Sequence, residues 1–506
     1  MPTALSSTSA FWRPVADTRA LLRFRLGTVR RPRALRLALV AMVLLTAAAA
    51  IVPAFVEGAR DSEQAFQVSL VIPTAMAAFL FLTIVSGIAS GGGRELISRD
   101  QAVAYPVSPA TDHLGALIMA PLNIAWLLQA WALLGATAYS LGPGFLWKIQ
   151  PVMVLWLLAA TSLGQVLAWT AETVRRGPFG IWIMRGLLVG FAAAALLVQL
   201  TGHVGDVLDR VPTQWVFTQG LRFDLRWVEV VALLIAAALA CAVAGAWPAR
   251  WASLRMPHDE QKIESGLREA RPDPKFGWLG MVRLDRASVW RSVPIRRGMT
   301  VLAVGPGVVA LFGDLTWSSM TILPGLVASG GALLFGVNVW CLDGRGGLWR
   351  ENLPISPRTG FWVRALVVGE FLGFAALITI ALASIRAGIP APEEAMALLC
   401  TVIVVLVQVV GAAMRWSGQN PYPSDLRSAR ATPAPPVVMV GYSARLALST
   451  TITGMVFSGL AQVPLWWLSP LVALPFVCWS LGRLFRAADR WSDPVRRSYV
   501  VTTVAA

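Results

Sequence analysis

Charge is what this 506-residue sequence has least of: 14% of its residues are Asp, Glu, Lys or Arg, against about 25% in soluble domains. That deficit excludes an ordinary water-soluble fold. Cysteine is scarce as well. Cys241, Cys341, Cys400 and Cys478 lie in or beside apolar runs, and no Cys-x-x-Cys occurs. A disulfide framework or a zinc site is therefore not indicated, and the four read as small buried apolar residues. The three histidines, His113, His203 and His258, stand far apart in separate loops, which gives no metal cluster. Only three lysines exist, Lys148, Lys262 and Lys275. None follows the glycines of a phosphate-binding loop, so the chain lacks that device for hydrolysing ATP. The catalytic patterns HExxH and GxSxG are missing too.

What is present is apolar. Hydrophobic residues make up 56% of the chain, bunched into runs of roughly the 17–25 residues that span a bilayer as a helix. Twelve runs emerge: 37–55, 68–89, 116–139, 152–170, 186–201 and 228–247, then 299–315, 322–342, 363–385, 395–414, 446–463 and 465–481. The fifth is short, and only Pro464 separates the last two, which leaves re-entrant or broken helices open there. The expected fold is all-α: a polytopic membrane protein of about 12 transmembrane helices in two tandem six-helix halves. Residues 1–36 form a basic tail with an interfacial helix, 37–247 the first half, and 248–298 a linker with a second interfacial segment. Residues 299–482 form the second half and 483–506 a tail. The first 36 residues are too long and Arg-rich for a cleavable signal peptide.

The net charge of +16 fits cytoplasmic loops better than a nucleic-acid surface, because basic residues collect on the inner side of membrane proteins. With the N-terminus inside, 37 of the 43 Lys and Arg residues fall on inner segments and six on outer ones. Both termini are thus expected in the cytoplasm of a multi-pass plasma (inner) membrane protein. Among the outer segments, 202–227 is the long one. Its Trp215, Phe217, Phe223 and Trp227 suit the membrane interface. On the inner side, 420–436 is rich in proline and reads as extended, solvated chain.

The halves share a signature. Pro106, Ser108, Pro109 and Thr111 recur as Pro354, Ser356, Pro357 and Thr359 at a constant offset of 248. Each Ser-Pro is a helix start, with serine as N-cap and proline first in the helix. In the first copy a short amphipathic helix precedes it. Arg94, Glu95, Arg99 and Asp100 form the charged face, and Pro106 ends the helix. In the second copy Arg345, Arg350, Glu351 and Pro354 occupy the corresponding stretch. Such an element can dock on a partner and pass movement to both flanking spans.

These features resemble the permease subunits of ABC-2-type exporters: basic interfacial segments, a charged loop after the second span, and six spans per half. Tyr-Pro-Val-Ser-Pro-Ala-Thr-Asp-His-Leu-Gly at 105–115, Trp-Arg-Ser-Val-Pro-Ile-Arg-Arg-Gly at 290–298, and Asp425-Leu426-Arg427 with its Pro-rich loop resemble actinobacterial ABC transporter permeases in particular. The resemblance implies coupling helices at 94–101 and 345–352 that touch a separate ABC ATPase subunit, in two copies. ATP and Mg would then be held by that partner, and this chain would hold no cofactor and be no enzyme. The usual permease has six spans and pairs with a second copy. Here both sets lie in one chain, so either one chain or a pair forms the pore.

Polar residues within spans are candidates for a translocation path: Glu370, Asn123, Gln165 and Gln408. A buried charge there costs about 2.5–3.5 kcal/mol, so Glu370 is either protonated, paired or functional. The glutamines read first as interhelical hydrogen-bond donors and acceptors. Two rival readings follow: a secondary transporter using Glu370, or an integral-membrane transferase.

Overall fold

The structure is a computed structural model and describes residues 7–27, 32–58, 62–89, 107–122, 124–255, 272, 274–312, 315–423 and 433–505. Among these residues every regular element is helical. The chain divides into two units, Met1–Glu264 and Ser265–Ala506.

The first unit runs α1 (Ser7–Gly27), α2 (Pro32–Ile51), α3 (Glu63–Ala89), α4 (Pro109–Met119), α5 (Ile124–Leu141), α6 (Leu146–Arg175), α7 (Gly180–Leu200), α8 (Leu225–Ala244) and α9 (Ala246–Ser253). The second runs α10 (Gly277–Arg291), α11 (Val293–Phe312), α12 (Leu323–Leu334), α13 (Gly346–Arg350), α14 (Pro357–Ala383), α15 (Pro392–Gln419), α16 (Pro436–Leu460), α17 (Leu468–Trp491) and α18 (Pro494–Ala505). Among the described residues seven helices are long and apolar enough to cross a membrane, or eight if the bent pair Pro109–Leu122 and Trp126–Leu141 is one span. This is the architecture of a helical membrane protein.

Local chemistry starts the helices where the sequence places them. Ser108 Oγ accepts the Thr111 N–H at 3.1 Å, and Ser356 Oγ accepts the Thr359 N–H at 3.2 Å. Proline follows in the first turn of both helices, where its missing N–H costs nothing.

Packing repeats the plan. Within the first unit α3 lies on α6, α2 on α5, α6 on α8, and α1 on α4. Within the second, α12 lies on α15, α11 on α14, α15 on α17, and α10 on α14. The fourth long helix is the most buried candidate span of the first unit, and in the second it shares that place with Trp317–Leu334. In Pro143–Arg175 and Pro392–Gln419, 61% and 56% of the most apolar window is buried, against 17% in Glu63–Ile88 and Leu225–Ser253. Small residues allow the tightest crossing. A Cβ on Gly164 of α6 would meet Thr83 and Ile84 backbone at 3.1–3.2 Å, and one on Gly87 of α3 would meet Ala168 at 2.8 Å. Close backbone approach of this kind is how membrane helices gain packing.

Four expectations need correction. The run 322–342 is not one helix. α12 ends at Leu334, and Asn338 adopts φ −149°, ψ 77° inside the irregular turns that follow. Side chains satisfy the freed backbone: Ser417 Oγ accepts the Val339 N–H at 2.9 Å and donates to Gly336 O at 3.2 Å. Unwound chain inside a membrane protein requires such partners. The Pro-rich segment is not wholly solvated either. Asn338 Nδ2 donates to Tyr422 O (2.7 Å) and Pro433 O (3.0 Å), and Pro433 and Ala434 are buried. In 202–227 the chain forms helices Val204–Asp209 and Thr213–Leu221, and Phe217 packs into the core instead of facing outward. Cys478 is exposed, unlike buried Cys341 and Cys400.

Gly164→Leu is expected to destabilise the first unit by about 1–3 kcal/mol through overpacking. Gly186→Leu, where nothing lies within 4 Å, is expected to be neutral. Thermal denaturation of the purified variants in detergent separates the two.

Candidate functional site

The second Ser-Pro copy is embedded in the second unit. The chain leaves the broken end of α12 through Asp343 and turns at Gly344, whose φ of +48° favours glycine. It forms the five-residue α13 and then enters α14 at Ser356. Beneath this loop lies a group of four charges. Arg364, two turns into α14, is fully buried. It donates from Nε and Nη2 to both oxygens of Asp285 on α10, at 2.9 and 3.0 Å. The same Nη2 reaches Asp343 Oδ1 at 2.6 Å, and Nη1 reaches Val339 O at 2.9 Å. Arg350, the last residue of α13, adds bonds to Asp285 Oδ1 (2.6 Å) and Asp343 Oδ1 (3.2 Å). Two carboxylates thus face two guanidiniums, with no net charge.

Burial alone would raise the Asp285 carboxyl. Arg364 and Arg350 outweigh it and hold Asp285 below the usual carboxylate range. A carboxylate held in this way is a poor proton acceptor. The hydrogen bonds of the group tie α10, α13 and α14 together.

Aromatic rings close the site. Trp340 lies 5.4 Å from the Arg364 guanidinium and stacks on Trp491 of α17, with ring centres 3.7 Å apart and planes 3° from parallel. The C-terminal helix α18 covers the loop. It buries Val500, Val501 and Val504, and Arg497 Nε donates to Glu351 Oε2 at 2.6 Å. A cavity of about 220 Å³ lies between them, lined among others by Trp340, Asp343, Arg350, Glu351, Trp491 and Arg497.

In the first unit α9 begins 248 residues before α18 and packs on α4 and α6. Here Glu172, almost fully buried, pairs with Arg175 (3.3 Å) and Arg176 (2.9 Å). Arg176 Nη1 donates to Ala252 O at 2.6 Å, and Thr173 Oγ1 donates to Pro248 O at 2.9 Å. His113, buried on α4, leaves room only for a glycine at 245, since a Cβ there would overlap its imidazole.

The sequence-predicted residues divide. Ser108 and Ser356 are N-caps. Arg345 and Pro354 are exposed. Glu351 is exposed and paired with Arg497. Arg350 points inward to Asp285 and Asp343, so its guanidinium is not offered to a partner. Glu370 forms a two-bond pair with Arg286 of α10 at 2.6 and 2.8 Å, and Gln408 accepts from Thr453 Oγ1 at 3.2 Å. Neither lines the cavity. Gln165 is buried in the first unit. Arg94, Glu95, Arg99, Asp100, Pro106 and Asn123 lie outside the described residues.

Sequence reasoning missed Asp285, Asp343, Arg364, Glu172, Arg176 and Arg497. Arg364 carried a signal: it is a cation inside the apolar run 363–385, and such a residue needs a partner. The segments 246–253 and 494–505, which in the sequence stand at the edge of a linker and within a tail, are packed helices. Among the described residues no group of three or more His, Cys, Asp or Glu is placed to hold a metal. No protein-family model, curated protein or solved structure matches the chain.

Asp285→Ala is expected to cost about 3–5 kcal/mol, because it leaves two buried guanidiniums sharing the single carboxylate of Asp343. The double variant Asp285→Leu/Arg364→Met should recover most of that loss in thermal melts. The pH dependence has a defined sign. Asp285 is depressed on folding, so its stabilisation is complete above the usual carboxylate pKa. It is lost as pH falls through the lower folded value. Melting temperatures of wild type and Asp285→Leu/Arg364→Met between pH 7 and pH 3 should converge at the acid end.

Proposed function

We propose that this chain is the membrane permease subunit of an ATP-driven exporter, with twelve spans in two halves and both termini in the cytoplasm. The observation that carries the reading is the duplicated connection between second and third spans. In each unit it starts the next helix through the same Ser-Pro cap. In the second unit it is tied by Arg364, Asp285 and Trp340 to four helices of the bundle. A push on that loop therefore reaches α10, α14, α17 and the unwound end of α12 together. Force delivered from outside suits a chain with no phosphate-binding loop of its own. ATP and Mg belong to the separate ATPase subunits. The rival proton-coupled reading rests on Glu370, and the bidentate Arg286 pair gives that carboxylate a fixed counter-ion, which speaks against it.

The test is co-purification followed by reconstitution. A stoichiometric ATPase subunit is expected, with hydrolysis stimulated by this chain. Transport that persists in liposomes holding this chain alone would sink the proposal. Glu351→Lys should reduce stimulation by placing like charge beside Arg497, and Glu351→Lys/Arg497→Glu should restore it. An unchanged ATPase rate in the single variant would remove Glu351 from the coupling surface.

A further inference from the structure

α8 and α9 form one nearly continuous helical rod, joined through Gly245, whose N–H donates to Cys241 O while its carbonyl accepts from Ala249. Along α8 runs a stripe of exposed apolar side chains: Val228, Ile235, Leu239 and Val243. Each end of the stripe carries an aromatic cluster with a cation. At one end Trp147 packs edge to face on Phe223 at 4.4 Å, and Phe223 lies tilted against Trp227 at 5.5 Å. Lys148 Nζ sits 5.2 Å from the Trp147 ring, and Trp227 Nε1 donates to Lys148 O at 2.9 Å. At the other end Trp247 and Trp251 pack at 6.1 Å with exposed Arg250 between them in sequence. Nearby, at the start of α7, Arg185 stands 5.1 Å from exposed Trp182.

The spacing identifies what covers the stripe. Trp227 and Trp247 are 20 residues apart, about 30 Å along a helix rising 1.5 Å per residue. The hydrocarbon core of a bilayer is about 30 Å thick. Indole and cation together match the headgroup layer, where the ring keeps one edge wet and the cation meets phosphate. A protein partner would need neither that spacing nor matching clusters at both ends.

We infer that these two clusters bind phospholipid headgroups of opposite leaflets and set the position of the bilayer on the first unit. The Trp147–Phe223–Trp227 cluster marks one surface and the Trp247–Trp251 pair the other, with α9 emerging from the membrane. This stands independently of the ATPase reading. The full-length chain, with its four native cysteines replaced by serine, takes a spin label at Trp147→Cys, Leu239→Cys, Val243→Cys, Trp247→Cys or Trp251→Cys. Each is placed in nanodiscs of phosphatidylcholine and phosphatidylglycerol. Collisions with oxygen and with a water-soluble nickel chelate give depth. The expected profile peaks at 239, is shallower at 243, and falls to headgroup level at both 147 and 247. Nickel dominating at 247 and 251 would overturn the inference and make that end a water-facing surface for a soluble protein. Spin–spin broadening at 239 would also overturn it, by placing a second copy on the stripe. Either result leaves ATPase stimulation untouched, so the two proposals fail separately.

Discussion

The pairing of Arg364 with Asp285 organises the second unit. Both side chains are removed from solvent, and each ion so removed costs several kcal/mol unless its hydrogen bonds are met in place. Meeting them dictates the surroundings. Arg364 needs a third acceptor, and Val339 supplies its carbonyl, which is free because α12 has already ended. Asp343 must come close enough to share Nη2, so the chain turns at once through Gly344. Arg350 then balances the second carboxylate. The broken helix, the glycine turn and the inward arginine all meet at one buried guanidinium.

The two units show how a duplicated plan keeps its packing and changes its chemistry. Several helix pairings recur in both, and packing of that kind depends on where apolar and small residues fall along each span. The polar joints differ. On α10 the residue facing the third-span helix is Asp285, bound to Arg364. On α1 it is Thr18, which is buried and reaches Thr111 O at 3.5 Å. The first unit places a buried carboxylate on the fourth long helix instead, where Glu172 accepts from Arg176 and Arg176 in turn donates to the Ala252 carbonyl near the end of α9. Each unit therefore secures its last helix to the bundle, one with a clasp on backbone carbonyls and the other with Arg497, Glu351 and a row of valines.

Much of this was legible in the residues. Apolar runs and Ser-Pro caps act over a few residues, so the all-helical membrane character and the starts of the helices at Pro109 and Pro357 follow from sequence alone. Hydrogen bonding within each helix makes them independent of distant partners. What tertiary structure alone decided involves residues far apart. Asp285 and Arg364 are separated by 79 positions, Glu351 and Arg497 by 146, and Arg286 and Glu370 by 84. No periodicity encodes which arginine meets which carboxylate, so Arg350 read only as part of a charged loop, and the state of Glu370 stayed open between protonated, paired and functional. Likewise α12 ends at Leu334 in a run apolar enough to continue it: Ser417 arrives from elsewhere to satisfy the opened backbone, while Tyr422 and Pro433 offer carbonyls to the Asn338 side chain. Local propensity determined the helices; the need to neutralise and hydrogen-bond buried polar groups across long sequence distances determined where they break and what holds them together.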